Sequence, residues 1–267
     1  MIKKYDGMEY DEVIKSISYN QHEILYNIIN LHNNGQPFDC DPTYSKGNFY
    51  GTFTVTKSDG REMVIEVPQP IHKFDVYPQV DGVVQIEPLG QLPLEDNSIS
   101  SICIDLPFLL GCGESVKNMD ENKKRNNLMH RRFAYYYPLS ALLESYKHWI
   151  TESYRVLKEG GICVFKCQNV ITASKFLGTP YYSKLIADSV GFDMLDEFVL
   201  LAKNRLISGK IKKQQHARSF HSFFLVFKKS HKMKVPYFDF MSEEEVNSLL
   251  EGLLKNNVKK RKNEHHL

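Results

Sequence analysis

Apolar positions along this 267-residue chain follow two different rhythms. Over residues 20–33, "NQHEILYNIINLHN", they recur at 24, 25, 28 and 29, with Leu31 nearby. That spacing predicts one buried face of a helix, and Asn20 with Glu23 stands at the positions of a capping box. "PLSALLESYKHWITESYRVLKEGG" predicts a longer amphipathic helix, with Arg155 and Lys158 near its end and Gly160-Gly161 as its stop. "YYSKLIADSV" predicts a third helix, closed by Gly191. The other rhythm is strand-like. "YGTFTVTKSDGREMVIEVP" alternates on both sides of Asp59-Gly60, a hairpin signal, read as an excursion near residues 50–68. "FDCDPTYSKGNFY" reads as a strand and loop, and "HKFDVYP" as a short strand. "VDGVVQIEPLGQLPLEDNSISSICIDLPF" reads as a strand, a loop and a central strand ending at Asp105. "GICVFKC" is continuously apolar enough to be buried, and "FDMLDEFVLL" and "HSFFLVFKK" flank a basic loop.

Strands alternating with helices predict an α/β chain with a mostly parallel sheet, helices on both faces, and a terminal antiparallel hairpin. Ligands of such sheets lie beyond the carboxyl ends of the strands. Asp41, Glu87 and Asp105 fall on that rim. One domain is expected over residues 1–228, followed by a peripheral tail over 229–267 with a helical stretch, "SEEEVNSLLEGLLKN", and a basic one, "KNNVKKRKN". Residues 111–137 read as a polar, basic surface segment.

Composition narrows the chemistry only a little. The net charge of +2 carries no nucleic-acid signal by itself; the distribution of charge does. The five cysteines are odd in number and form no CxxC pair, so neither a disulfide framework nor a metal site is expected. Cys103, Cys163 and Cys167 read as small buried hydrophobes. The first residues lack a signal-peptide core, and no apolar run has the length of a membrane span, so a cytoplasmic protein without a membrane partner is expected. Oligomeric state stays open between monomer and dimer.

The run "ISSICIDLPF" raises a more specific question, because a core strand feeds directly into a carboxylate, a proline and an aromatic ring. "DCDPTYSKGNFY" (39–50), "LPLEDNSISSICIDLPF" (92–108), "RVLKEGGICVFKCQN" (155–169) and "LLAKNRLISGKIKKQQHARSFHSFFLVF" (200–227) follow in this order. Together they resemble bacterial and phage S-adenosylmethionine-dependent DNA amino-methyltransferases over about residues 20–228. The resemblance implies a Rossmann-like class I methyltransferase fold with a seven-stranded sheet whose last strand is antiparallel. It also implies DNA as partner, and methylation of adenine N6 or cytosine N4. Asp105, Leu106, Pro107 and Phe108 match the family's catalytic Asp-Pro-Pro-Phe/Tyr tetrapeptide, with leucine in place of the first proline. Asp39, Asp41, Thr43, Tyr44, Ser45 and Gly47 match the region where cofactor is expected, without a glycine-rich loop. The family's adenine-side acidic residue would fall at Pro88, beside Glu87. Asp75 is a candidate for the ribose hydroxyls, with Asp81 as a second. An RNA or protein-amide methyltransferase and a non-catalytic nucleic-acid-binding relative are the alternatives.

In that chemistry, Asp105 accepts one amine hydrogen, the main-chain carbonyl of residue 106 accepts the other, and Phe108 stacks on an extruded base. Two basic segments suit DNA. Lys203, Arg205, Lys210, Lys212, Lys213 and Arg218 lie in a stretch without carboxylates, alongside Gln214, Gln215 and His216, which can meet phosphates and base edges. Lys123, Lys124, Arg131 and Arg132 follow the tetrapeptide closely.

Overall fold

A computed structural model describes residues 4–5, 8–9, 13–56, 59–107, 109–110, 135–136, 139–172, 175–202, 216–217, 219–230, 244 and 248. The elements in chain order are β1 (Lys4–Tyr5), β2 (Met8–Glu9), β3 (Ile17–Ser18), α1 (Gln21–His32), β4 (Cys40–Asp41), β5 (Gly51–Thr56) and β6 (Glu62–Val67). Then come β7 (His72–Asp75), β8 (Val84–Gln85), β9 (Ile99–Asp105), β10 (Leu109–Leu110), β11 (Tyr135–Tyr136), α2 (Leu139–Val156) and β12 (Leu157–Cys167). The last are β13 (Val170–Thr172), β14 (Lys175–Leu177), α3 (Thr179–Val190), β15 (Phe192–Leu201) and β16 (His221–Lys229).

Among the described residues the main sheet has eight strands, in the order β3-β15-β16-β12-β9-β4-β7-β8. Every neighbouring pair in it is parallel except the two that β16 makes, with β12 and with β15. The expected count of seven is therefore corrected to eight. The extra strand is β3, whose two residues pair with Val199 and Leu200 at the outer edge. Two residues are too few for a period-2 pattern to show in sequence. The antiparallel hairpin of β15 and β16 is present, and its second strand lies inside the sheet rather than at its edge. Strands β5 and β6 form a separate two-stranded sheet.

Burial on both faces follows from strand alternation. Ile102, Ile104, Cys163, Phe165, Leu225 and Phe227 pack with Leu142, Tyr146, Trp149 and Ile150 of α2 and Leu185 and Ile186 of α3. Their neighbours Cys103, Ile162, Val164, Phe224 and Val226 pack the other way, with Ile24, Leu25, Ile28 and Ile29 of α1 and with Phe53 and Val67 of the hairpin. The period of 2 in three adjacent strands thus feeds two cores.

Helix ends depart from expectation in two places. The capping box is half formed: Asn20 Oδ1 accepts from His22 N–H at 2.9 Å, whereas the Glu23 carboxylate accepts from the Ser18 hydroxyl instead of turning back to the cap. Helix α2 ends at Val156, before Gly160-Gly161. Lys229 makes that early stop possible, because its ammonium donates to the carbonyls of Tyr154 and Leu157 at 2.6 and 2.8 Å. The two glycines instead fall in the irregular stretch of β12, between the register points Leu157 and Ile162. Gly160 has φ +76°, and a Cβ on Gly161 would sit 3.0 Å from the Ser100 carbonyl. Gly191 does close α3, with φ +101° and its N–H on the carbonyls of Ala187 and Asp188.

The "LPLEDN" loop is held by α2. Glu152, 5% exposed, accepts the Leu92 N–H at 2.7 Å. Arg155 donates to that same carboxylate, to the carbonyls of Leu92 and Leu94, and to Asp96. This grip fixes the entry into β9. Residues 111–134 and most of the tail after Ser230 lie outside the described residues. No helix among the described residues is long and apolar enough to cross a membrane.

Candidate functional site

Parallel pairing brings the ends of β4, β7 and β9 to one rim, with Asp41, Asp75 and Asp105 as their last residues. Glu87 lies two residues beyond β8 and is exposed, in a turn closed by Gly90 N–H on its carbonyl at 2.9 Å. Asp39 precedes β4 and faces the start of β9 instead. Its N–H donates to Ser101 Oγ at 3.0 Å, and its carboxylate accepts the Ser100 N–H.

The centre of the rim is a connected polar cluster. Asp41 is 2% exposed, and its two oxygens are taken by the chain itself. Oδ1 accepts from the N–H and hydroxyl of Thr43 at 2.8 and 3.0 Å, and Oδ2 accepts from the Tyr50 hydroxyl at 2.7 Å. Burial raises the Asp41 carboxyl to about 7; the Tyr50 and Thr43 hydrogen bonds oppose that rise, and the Asp105 charge adds to it. The Thr43 hydroxyl also accepts the Asp105 N–H at 2.8 Å, so the β4 loop and the end of β9 share one hydrogen-bonded unit.

Asp105 is itself the partly exposed member. Its Oδ2 receives Lys166 Nζ at 3.0 Å, and no described residue occupies Oδ1. Lys166 is the register partner of Asp105 on the parallel strand β12. It is 8% exposed, and its ammonium sits over the rings of Phe49 and Phe224, 4.7 and 5.5 Å from their centroids. Nothing in the local sequence marks Phe49, Tyr50 and Phe224 as members of this cluster, and for Lys166 the available signal is a lone lysine inside the apolar run "ICVFKC".

Leu106 is 4% exposed and packs into the core on the α2 and α3 side. Pro107 is partly exposed, and Phe108 lies outside the described residues. The loop after Thr43 is pinned to β7. Ser45, with φ 51°, donates its N–H to Asp75 Oδ2 at 2.7 Å, and Asp75 Oδ1 accepts the Tyr77 N–H at 2.7 Å. Tyr44 donates its hydroxyl to Gln69 at 2.6 Å, under the Lys73 ammonium at 5.0 Å from its ring centroid. Gly47 has φ +71°, and a Cβ there would lie 2.4 Å from the Tyr44 hydroxyl oxygen, so the loop closes on that ring only with glycine. His216 is half-buried; Lys123, Lys124, Arg131, Arg132, Lys203, Arg205, Lys210, Lys212, Lys213, Gln214, Gln215 and Arg218 lie outside the described residues.

The four described cysteines, Cys40, Cys103, Cys163 and Cys167, are all buried. Burial pushes the Cys163 and Cys167 thiols up to about 12, which removes them as nucleophiles. Among the described residues no cluster of His, Cys, Asp and Glu has the makings of a metal site. The arrangement can therefore offer a carboxylate acceptor at Asp105 beside a fixed ammonium, with further carboxylates along the rim.

No protein-family model matches the sequence, and no curated protein matches it. Among solved structures, the chain is similar to three of one protein from Thermus thermophilus, described as a "Putative DNA Modification Methylase". One aligns at 15% identity over 52% of this chain and 50% of that one, with a TM-score of 0.35. A selenomethionine derivative aligns at 12% identity over 52% and 48%, with a TM-score of 0.29. The third, complexed with S-adenosyl-L-methionine, aligns at 16% identity over 37% and 44%, with a TM-score of 0.28. The chain thus spans about half the length of these structures or less, and a likeness at this level carries no argument about activity.

Proposed function

We propose that the chain is an S-adenosylmethionine-dependent methyltransferase acting on an exocyclic amine, adenine N6 or cytosine N4, in DNA. The observation that carries this reading is the Asp105 carboxylate. It stands at the carboxyl end of a central parallel strand, with one oxygen held by Lys166 and the other unoccupied among the described residues. It directly precedes Leu106, whose side chain is anchored in the core. The sheet also has the form the resemblance implies, with its last strand antiparallel, apart from the added edge strand β3.

An aromatic amine shares its lone pair with the ring and is a poor nucleophile. In this reading Asp105 Oδ1 accepts one amine hydrogen and the Leu106 carbonyl the other, which aims the lone pair. Both acceptors strengthen their hold as positive charge grows on nitrogen, so they stabilise the transition state more than the ground state. Thr43 fixes the main chain at Asp105, and the buried Leu106 side chain fixes the next residue. The proton then leaves the amine toward Asp105.

The rim residues fit the proposed cofactor by the chemistry of their donor set. Asp75 keeps a lone pair on each oxygen after accepting two backbone N–H groups, and the Glu87 carboxylate is exposed. Asp75 and Glu87 would hold the hydroxyl-bearing nucleoside part, and the loop of Thr43, Tyr44, Ser45 and Gly47, organised by Asp41, the remainder. S-adenosylmethionine supplies the methyl group when bound. The basic segments at 123–132 and 203–218 are proposed to contact DNA phosphates.

The test is incubation of purified protein with methyl-labelled S-adenosylmethionine and mixed-sequence DNA, followed by nucleoside analysis of the digest. Label in N6-methyladenine or N4-methylcytosine is expected, and its loss in Asp105→Ala. Label in neither nucleoside overturns the reading.

A further inference from the structure

Lys166 costs more than a structural residue at its position should. Val164 and Ile162, two and four residues earlier, put apolar side chains on the same face of β12, packed with α1. An ammonium continues that row at 8% exposure. It has three donors. One goes to Asp105 Oδ2, and no described residue accepts either of the other two. The faces of Phe49 and Phe224 return part of the lost hydration, though a ring face is no substitute for an acceptor. A methionine would fill the same slot without that penalty. The ammonium is also badly placed to help an amine turn positive, since like charges repel across the short distance Asp105 spans. Its value must come from a different contact.

We infer that Lys166 is the specificity-determining residue of the site, donating to the ring nitrogen beside the target amine. This rests on the methyltransferase reading above. On adenine the amine-bearing carbon is bonded to N1, and on cytosine to N3, so each base presents a donor and an acceptor side by side. Asp105 and Lys166, register partners on adjacent strands, present an acceptor and a donor side by side in return. On guanine the Watson–Crick neighbour of the amine is N1–H, a donor, and its acceptor neighbour N3 lies on the sugar side; thymine has no amine. An alkylammonium, such as a lysine side chain, meets like charge. The substrate class is therefore a neutral amino-base whose ring nitrogen on the Watson–Crick side of the amine is unprotonated.

The test uses short oligothymidylate strands holding one adenine or one cytosine, and the same strands with 1-deazaadenine or 3-deazacytosine, in which that nitrogen is replaced by C–H. Binding is read by fluorescence anisotropy on the full chain with S-adenosylhomocysteine present, so no turnover is required. Wild-type protein should bind one parent strand roughly 10- to 100-fold tighter than its deaza version, the range for a hydrogen bond from a charged donor. Lys166→Met should bind both alike, and Lys166→Arg should restore part of the difference. A deaza penalty that persists in Lys166→Met, or none in the wild type, overturns the assignment; if the methionine variant fails to fold, a penalty in Lys166→Arg equal to that of the wild type overturns it as well. If the coupling is present in binding but labelled methyl is never transferred, the methyltransferase reading falls and the Lys166 assignment stands.

Discussion

The Thr43 hydroxyl accepts the Asp105 N–H at 2.8 Å while donating to Asp41 Oδ1 at 3.0 Å, so a single side chain joins the β4 loop to the end of β9. Thr43→Val keeps the shape and removes both bonds, leaving the Asp105 N–H without its acceptor. The variant should lose roughly 1–3 kcal/mol in urea denaturation. Cofactor affinity and methyl-transfer rate should fall together, and Thr43→Ser should restore both. A change in only one of the two would contradict the shared unit.

Asp41 makes stability depend on pH. Its carboxyl is raised from 3.8 to about 7, chiefly by burial, so the folded chain keeps a proton that the unfolded chain releases above about pH 4. The stability it contributes is full below pH 4 and is lost as pH climbs through 7, by up to roughly 4 kcal/mol. Asp41→Asn cannot titrate, and its stability should stay flatter across that window. Urea denaturation at stepped pH checks this; parallel curves for the two proteins would rule it out.

Leu106 separates packing from chemistry. Its side chain is buried with the α2 and α3 core, so Leu106→Ala should cost roughly 2–4 kcal/mol of stability. Leu106→Pro keeps the main-chain carbonyl, and its methyl-transfer rate should change by less than roughly tenfold, about 1.4 kcal/mol of barrier. A rise from no activity to clear activity would mean that the leucine disables the site.

Arg155 and Glu152 hold the loop entering β9. Arg155→Met leaves the buried Glu152 carboxylate without its cation and should cost roughly 3 kcal/mol or more. Adding Glu152→Gln should recover part of that loss, since the neutral amide has less to lose by burial. A double-mutant cycle in thermal or urea denaturation measures the coupling.

Lys210, Lys212 and Lys213 test DNA contact by the basic segment. Their joint replacement by alanine should weaken binding to unrelated duplexes alike and flatten the log–log salt slope by up to about three units. An unchanged slope would move the contact elsewhere, with residues 123–132 next in line.

Features set by neighbouring residues are legible in the sequence. Gly191 closes α3 in the left-handed conformation, and the 24, 25, 28, 29 spacing gives the buried face of α1. The strand ending at Asp105 is visible because its apolar run is long. What escaped depends on partners distant in sequence. Lys166 lies 61 residues from Asp105, and parallel pairing leaves no local mark of which residues become neighbours. Gly160-Gly161 reads as a helix stop in sequence because the ammonium on the last carbonyls of α2 belongs to Lys229, late in the chain on the neighbouring strand β16. Asp39 and Asp41 look alike in "DCD", yet the first meets Ser100 and Ser101 at the start of β9 and the second meets Thr43 and Tyr50.

The position of β16 sets an order on how this molecule can be born. The strand comes last in the main sheet and slots between β12 and β15, both made earlier. Until residues 221–229 leave the ribosome, those two strands have unpaired edges facing an empty lane, and neither core has its share of Phe224, Leu225, Val226 and Phe227. The β15 side of that lane closes as a hairpin, while the β12 side pairs residues 56 to 66 apart along the chain, the kind of long-range contact that slows folding. A nascent chain stalled before Ser222 is therefore a sticky one, with two open edges ready to take a strand from a neighbour, and it is at this stage that a chaperone would matter most.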